Sequence, residues 1–206
     1  MSNSKWEKIP TKAVIKKVIE NLKNRNISAE IVDDQTQALD RLKELIPAGV
    51  SLMTGSSTTL DQIGFSEFLK SGKHSWKNLK EEVLAEEDLT KQNELRRKSV
   101  LADYFLGSIH AITKDGVVLD ASATGSQLPS YAFTSPHVIW VVGAHKITEN
   151  LEDAFTRLGE YVFPLEDQRM KNSDYAGSVI GKILLVEKEF VPNRIHIIFV
   201  RQILGF

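Results

Sequence analysis

"GVSLMTGSSTTLDQIGF", residues 49–65, decides the fold. A short apolar run, "VSLM", meets the turn Thr54-Gly55-Ser56-Ser57-Thr58, and Leu60, Ile63 and Phe68 then recur at helical spacing. A strand that turns at once into a helix is the repeating unit of a parallel sheet covered by helices. Upstream, "TKAVIKKVIENLKNRN" sets Val14, Ile15, Val18, Ile19 and Leu22 on one helical stripe. "ISAEIV" follows as a strand, and "TQALDRLKELI" as a helix that Pro47 ends.

Downstream the pattern changes. "KNLKEEVLAEEDLTKQNELRRKS" has no Gly or Pro and reads as charged surface helices, with Asp88 as N-cap and Leu89, Leu95 and Val100 as apolar positions. "YFLGSIHAITKDGVVLD" predicts two strands around Lys114-Asp115-Gly116, a hairpin turn. "HVIWVVG" has the continuous apolar character of a buried parallel strand. "ENLEDAFTRLGEYVF" is helical through Leu151, Ala154, Phe155 and Leu158. "GKILLVEKEFVPNRIHIIFVRQILGF" predicts two strands joined at Pro192-Asn193 that close the sheet. The expected fold is α/β: a mostly parallel sheet flanked by helices on both faces, with an antiparallel hairpin portion.

Composition narrows the chemistry. The chain has 206 residues, 42% of them hydrophobic, and balances 26 basic against 27 acidic side chains. That suits a globular protein with one sizeable core and lacks the basic footprint of nucleic-acid binding. No apolar run approaches the roughly 18 residues of a membrane span, and "MSNSKWEKIP" lacks a signal-peptide core. A soluble, cytoplasmic protein with no nucleic-acid or membrane partner is expected. With no Cys, neither a disulfide, a thiolate nucleophile, an Fe–S cluster nor a thiolate-bound metal is expected.

Two loops follow apolar strands and precede helices: residues 54–58 and residues 143–148. Ligands of open α/β sheets sit beyond the carboxyl ends of strands. Thr54, Gly55, Ser56, Ser57 and Thr58 offer a close-approaching backbone and hydroxyl donors, a seat for phosphate or carboxylate. The turn lacks the second Gly and the Lys of a P-loop. Its plainer role is a hydroxyl cap on the helix, and both roles are compatible. A second hydroxyl-rich turn, Ser122, Thr124, Gly125 and Ser126, lies just beyond Asp120, which can orient a ligand hydroxyl or satisfy local backbone N–H groups. Of five histidines, His137 and His196 sit on apolar strands. His145, beside Lys146 on the loop that Gly143 opens, is the best placed for acid–base work. His110 and Lys114 bring positive charge to the hairpin region.

These pieces in order ("GVSLMTGSSTTLDQIGF", "ADYFLGSIHAITKDGVVLD", "ATGS", "HVIWVVGAHKIT" and "RIHIIFVRQILGF") resemble the LUD (lactate-utilisation) domain family over residues 27–206. The resemblance implies a sugar-phosphate isomerase/CoA-transferase-like α/β fold, with residues 1–26 as a helix packed on a single domain. It implies a small anionic metabolite as ligand, held by Ser56, Ser57 and Thr58 with Thr124, Gly125 and Ser126 opposite, and a role in using lactate or a related organic acid. The superfold is frequently oligomeric, which implies a homodimer. Departures matter as well. Lys114 stands where relatives carry Glu, and Ala123-Thr124-Gly125-Ser126-Gln127 stands for "GTGNR", losing its Arg. The Cys cluster of some relatives is absent from "KNSDYAGSVIGKI". Two alternatives stay open. One is an isomerase, transferase or hydrolase acting on a phosphorylated sugar or acyl-CoA, with His145, Asp120 or Lys114 moving protons. The other is a non-catalytic subunit that docks a redox-enzyme partner through its charged middle helices.

Overall fold

The computed structural model describes residues 5–173 and 175–206. Six strands form a wholly parallel sheet in the order β1 (Ser28–Val32), β10 (Ile195–Val200), β7 (His137–Gly143), β4 (Tyr104–Gly107), β2 (Ser51–Thr54) and β3 (Lys77–Asn78). Alternation sorts the side chains of its central strands. Trp140, Val142, Ile195, Ile197 and Phe199 face one way, into a core with Ile15, Val18 and Leu22 of α1 (Lys12–Asn24). Ile139, Val141, Ile198 and Val200 face the other way. There they meet α2 (Gln35–Leu45), α3 (Thr58–Gln62) and α4 (Phe65–Lys70). The α/β class with helices on both faces stands as expected from the sequence.

A second, mixed sheet orders β8 (Ile147–Thr148), β5 (Ala111–Thr113), β6 (Val118–Ser122) and β9 (Lys182–Val186). One face turns Ile112 and Val118 toward the main sheet. The other turns Ala111 and Leu119 onto Ala154 of α7 (Leu151–Arg157) and onto Leu158 and Val162, which lead into α8 (Phe163–Lys171). The layers therefore run helices, parallel sheet, α1 with the small sheet, then helices. No helix among the described residues is long and apolar enough to cross a membrane.

Two local readings need correction. The segment read as two strands around Lys114-Asp115-Gly116 contains three: β4 joins the parallel sheet, and only β5 and β6 make the antiparallel hairpin. The break at Ser108-Ile109-His110 is where the chain leaves one sheet for the other. Likewise β9 and β10 do not pair. β9 runs along the edge of the small sheet against β6, whereas β10 lies between β1 and β7. Both strands are apolar at nearly every position, but only β10 is buried on both faces; Ile183 and Leu185 of β9 remain exposed. The charged stretch stands as read from the sequence: α6 (Leu89–Lys98) is a surface helix that buries no residue. Asp88 does cap it, accepting from Thr90 N at 2.8 Å and Lys91 N at 3.0 Å. Leu89 nevertheless faces solvent, as capping and charge suffice to hold a surface helix next to α5 (Leu79–Ala85).

Candidate functional site

The carboxyl ends of β2 and β4 point toward the small sheet, and the junction of three polar turns there is called the cleft. One wall is the Gly55 turn. Thr54 is buried at the end of β2, and Ser57 caps α3, its Oγ accepting from Leu60 N at 3.3 Å. Gly55 has no left-handed backbone requirement; a Cβ there would lie 3.8 Å from Gln127 Cβ. The value of this glycine is therefore the gap it keeps. Lys80, in the first turn of α5, donates to Gly55 O at 3.1 Å, its one hydrogen-bond partner among the described residues. Burial lowers its pKa; Asp61 pulls the other way and Lys70 adds to the lowering.

The opposite wall is the loop after β6. Ser122 Oγ accepts from Gly125 N at 2.8 Å and donates to Gln127 Oε1 at 2.9 Å, and Gly125 takes φ +84° to close the turn. Thr124 and Ser126 bond to each other at 3.2 Å. Gln127 Nε2 reaches back to Asp120 Oδ2 at 3.3 Å. The alternation of β6 explains how Asp120 comes here. Leu119 faces α7, so Asp120 shares the inward face of Val118, between the sheets. It is 2% exposed, and its Oδ1 lies 2.6 Å from His110 Nδ1. Ala121 N also points at that nitrogen, at 3.0 Å.

The floor is the Gly107-Ser108-Ile109-His110 crossover. Gly107 is needed for close approach: a Cβ would stand 1.8 Å from the Tyr131 hydroxyl, which donates to Ser108 O at 3.4 Å. Lys146, fully buried, donates to Ile109 O at 3.0 Å, Ser108 Oγ at 3.1 Å and Thr59 Oγ1 at 3.4 Å. Gly205 packs over the same ammonium. Arg157, also buried, donates through Nη1 to His110 O and lies over the Tyr161 ring, 5.1 Å from its centroid. Among the described residues no group of three or more His, Asp or Glu comes together to hold a metal ion.

Burial, then Arg157, pushes the Lys146 amine down to about 7, against a smaller upward pull from Asp120. Its folded pKa thus lies below the unfolded 10.5, so between about 7 and 10.5 the unfolded chain binds the extra proton and stability climbs with pH. Lys146→Met is expected to remove about 2 kcal/mol of that climb between pH 7 and 9, read from denaturant melts of both proteins. Parallel profiles would mean that the ammonium keeps its charge.

The sequence-derived candidates thus separate. Gly55, Ser57, Asp120, Gly125 and their neighbours Ser56, Thr58, Thr124 and Ser126 fall on the two facing turns. His145 does not join them. It is 2% exposed, both ring nitrogens lack a hydrogen bond of good geometry, and burial, then Lys146 and Arg157, drives its pKa to about 2. Gly143 is a packing glycine, since a Cβ would strike the His145 ring and Leu204 N at 2.8 Å. Lys114 sits at the hairpin tip, paired with Glu149 and leaning on Asn21 of α1. Conversely, Lys80 and Tyr131 carry no signal in the sequence, and Lys146 and Gln127 stand there only as neighbours of His145 and Ser126. Lys80 lies in a charge run, and only the alternation of buried and exposed faces in three dimensions distinguishes it.

The sequence pattern of the LUD domain family matches residues 15–200. The solved structure of a DUF162 family protein from Deinococcus radiodurans is similar over 93% of this chain and 99% of that one, with a TM-score of 0.56. At 7% identity this likeness speaks for the fold alone. No curated protein matches the chain.

Proposed function

The chain belongs to the LUD domain family, and from that premise we propose that it binds a small anionic metabolite, a lactate-like organic acid, between the Gly55 and Gln127 turns. The observation that carries this reading is Lys80. Its side chain is half-buried, yet Gly55 O engages only one of its three donors. A carboxylate or phosphate beside the turn would take the remaining donors and offset the desolvation. The buried carboxylate of Asp120 is already engaged by His110 and Gln127.

The test is a thermal-shift screen against lactate, pyruvate, sugar phosphates, CoA, folates and nucleotides. A ligand at a hundred times its Kd adds about 2.7 kcal/mol, roughly 5–11 °C for a chain of this size. Gly55→Val is expected to abolish the shift while leaving the unliganded Tm nearly unchanged, because a Cβ at Gly55 makes only ordinary contact and the added methyl groups fill the gap. A hit that survives in both Gly55→Val and Lys80→Met would place the ligand elsewhere. A flat screen would instead favour the non-catalytic docking subunit.

A further inference from the structure

We propose that the protein is a twofold dimer in which β9 pairs antiparallel with β9 of a second copy, joining the two small sheets into one.

A sheet edge offers unpaired N–H and C=O groups to any extended chain, so monomers blunt their edges with short strands or with charge. The two sheets here have four edges. Two of them, β3 and β8, are only two residues long. A third, β1, carries Ser28 and Glu30, and Glu30 is paired with Arg41 and His196. β9 has neither protection. It runs for five residues, reads Ile183-Leu184-Leu185-Val186 after Lys182, and pairs with β6 on one side only. Among the described residues no hydrogen bond reaches its outer backbone.

The side chains tell the same story. Leu184 and Val186 pack toward the main sheet, whereas Ile183 and Leu185 stand 42% and 38% exposed on the opposite face. Both flanks are apolar as well. Val179 and Ile180 precede the strand, Phe190 and Val191 follow it, and all four are exposed. Six of the fifteen exposed large hydrophobics among the described residues therefore fall within residues 179–191. They offer on the order of 600 Å2 per copy, and a specific pair buries about 800 Å2 per partner, so these side chains with the paired backbone reach the size that a stable dimer needs.

The occupant must be an extended apolar strand to satisfy both the backbone and the side chains, and β9 is itself such a strand. Its sequence is self-complementary when turned end over end. A twofold axis perpendicular to the sheet at Leu184 sets Leu184 opposite its own mate. Ile183 then lies opposite the partner's Leu185, on the same face, as the pleat requires. The same rotation lays Val179 and Ile180 along the end of the partner strand that leads to Phe190 and Val191. It also brings Lys182, which makes no ion pair among the described residues, to the Glu187 end of the partner strand. Parallel pairing would set Lys182 beside its own mate, a like-charge contact.

Sedimentation velocity at micromolar concentration reads the assembly directly, and thermal melts of the same samples report folding. The expected result is a species of twice the chain mass. Ile183→Lys combined with Leu185→Lys gathers four like charges about the axis and should weaken the dimer about 100-fold, with the fold kept because both side chains are part-exposed. Ile183→Lys combined with Leu185→Glu instead sets opposite charges across the axis and should recover the dimer to within about tenfold of wild type. The chain has no Cys, so Leu184→Cys checks the register cleanly. Its two copies would lie about 4.5–5.5 Å apart between Cα atoms, within disulfide reach, and mild oxidation should give a covalent dimer. A wild-type monomer at every concentration overturns the proposal and leaves the edge to a strand of another protein. A dimer indifferent to the paired lysine substitutions overturns it as well, and so does one lost equally in both double variants.

Discussion

Arg194→Met is expected to destabilise the protein by about 3–5 kcal/mol, a fall in Tm of roughly 6–20 °C. The guanidinium is 7% exposed, and all three of its nitrogens donate. Nε donates to Glu189 at 2.7 Å, Nη1 to the carbonyls of Ser135 at 2.9 Å and Ser130 at 3.2 Å, and Nη2 to that of Tyr131. Methionine fills much of the volume but takes the guanidinium from three carbonyls and leaves the buried Glu189 carboxylate with only the Val191 N–H as donor, which is why the loss should exceed that of a surface pair. Glu189→Gln, which keeps an acceptor for Nε, should cost less. The residue also bears on the site. It pins the turn Ser130–Thr134, and that turn presents the Tyr131 hydroxyl to Ser108 O at the floor of the cleft. Equilibrium urea melts decide the matter: a loss below 1 kcal/mol would mean that water replaces the guanidinium at little cost.

His145→Leu is the second large effect, and it appears only in acid. At pH 7 the histidine is neutral in the folded state and mostly so in the unfolded one, and its ring nitrogens make no hydrogen bond of good geometry, so the substitution should change stability by no more than about 1 kcal/mol. The folded pKa of about 2 lies below the ordinary 6.5. Between those values the unfolded chain binds the proton and the folded one does not, so native stability falls as pH falls through that window. At pH 4 the wild-type protein should have lost about 3 kcal/mol more than His145→Leu. Denaturant midpoints of the two proteins at pH 7, 5.5 and 4 isolate the difference, because the carboxylates common to both cancel. Curves that stay parallel would falsify the burial argument and return His145 to the list of groups in touch with solvent.

Much of the fold was legible because its signals are local. Turn residues, caps and periodicity act within a few positions, so the strand–turn–helix at 51–62, the Asp88 cap and the "KDG" hairpin all stand where the sequence puts them. Sheet membership was not local. "ILLV" and "IHIIFV" are comparable apolar strands separated by residues 187–194, but one borders the small sheet and the other fills the middle of the large one. What separates them is the set of distant partners each strand finds. The loop between them is tied down by Arg25 and by Arg194, residues far apart in sequence.

The site divides along the same line. The sequence by itself determined that a small, hydroxyl-rich turn follows β2, that another follows β6, and that Asp120 stands at the second. Each depends on residue type and local spacing. Only the tertiary structure decided that these turns face each other, that Asp120 meets His110, and that His145 is sealed in the core while its neighbour Lys146 reaches the floor of the cleft. The physical reason is that desolvation and partnership are properties of packed neighbours. Two adjacent residues on one loop share a local sequence, yet one backbone turn sends their side chains to opposite surroundings.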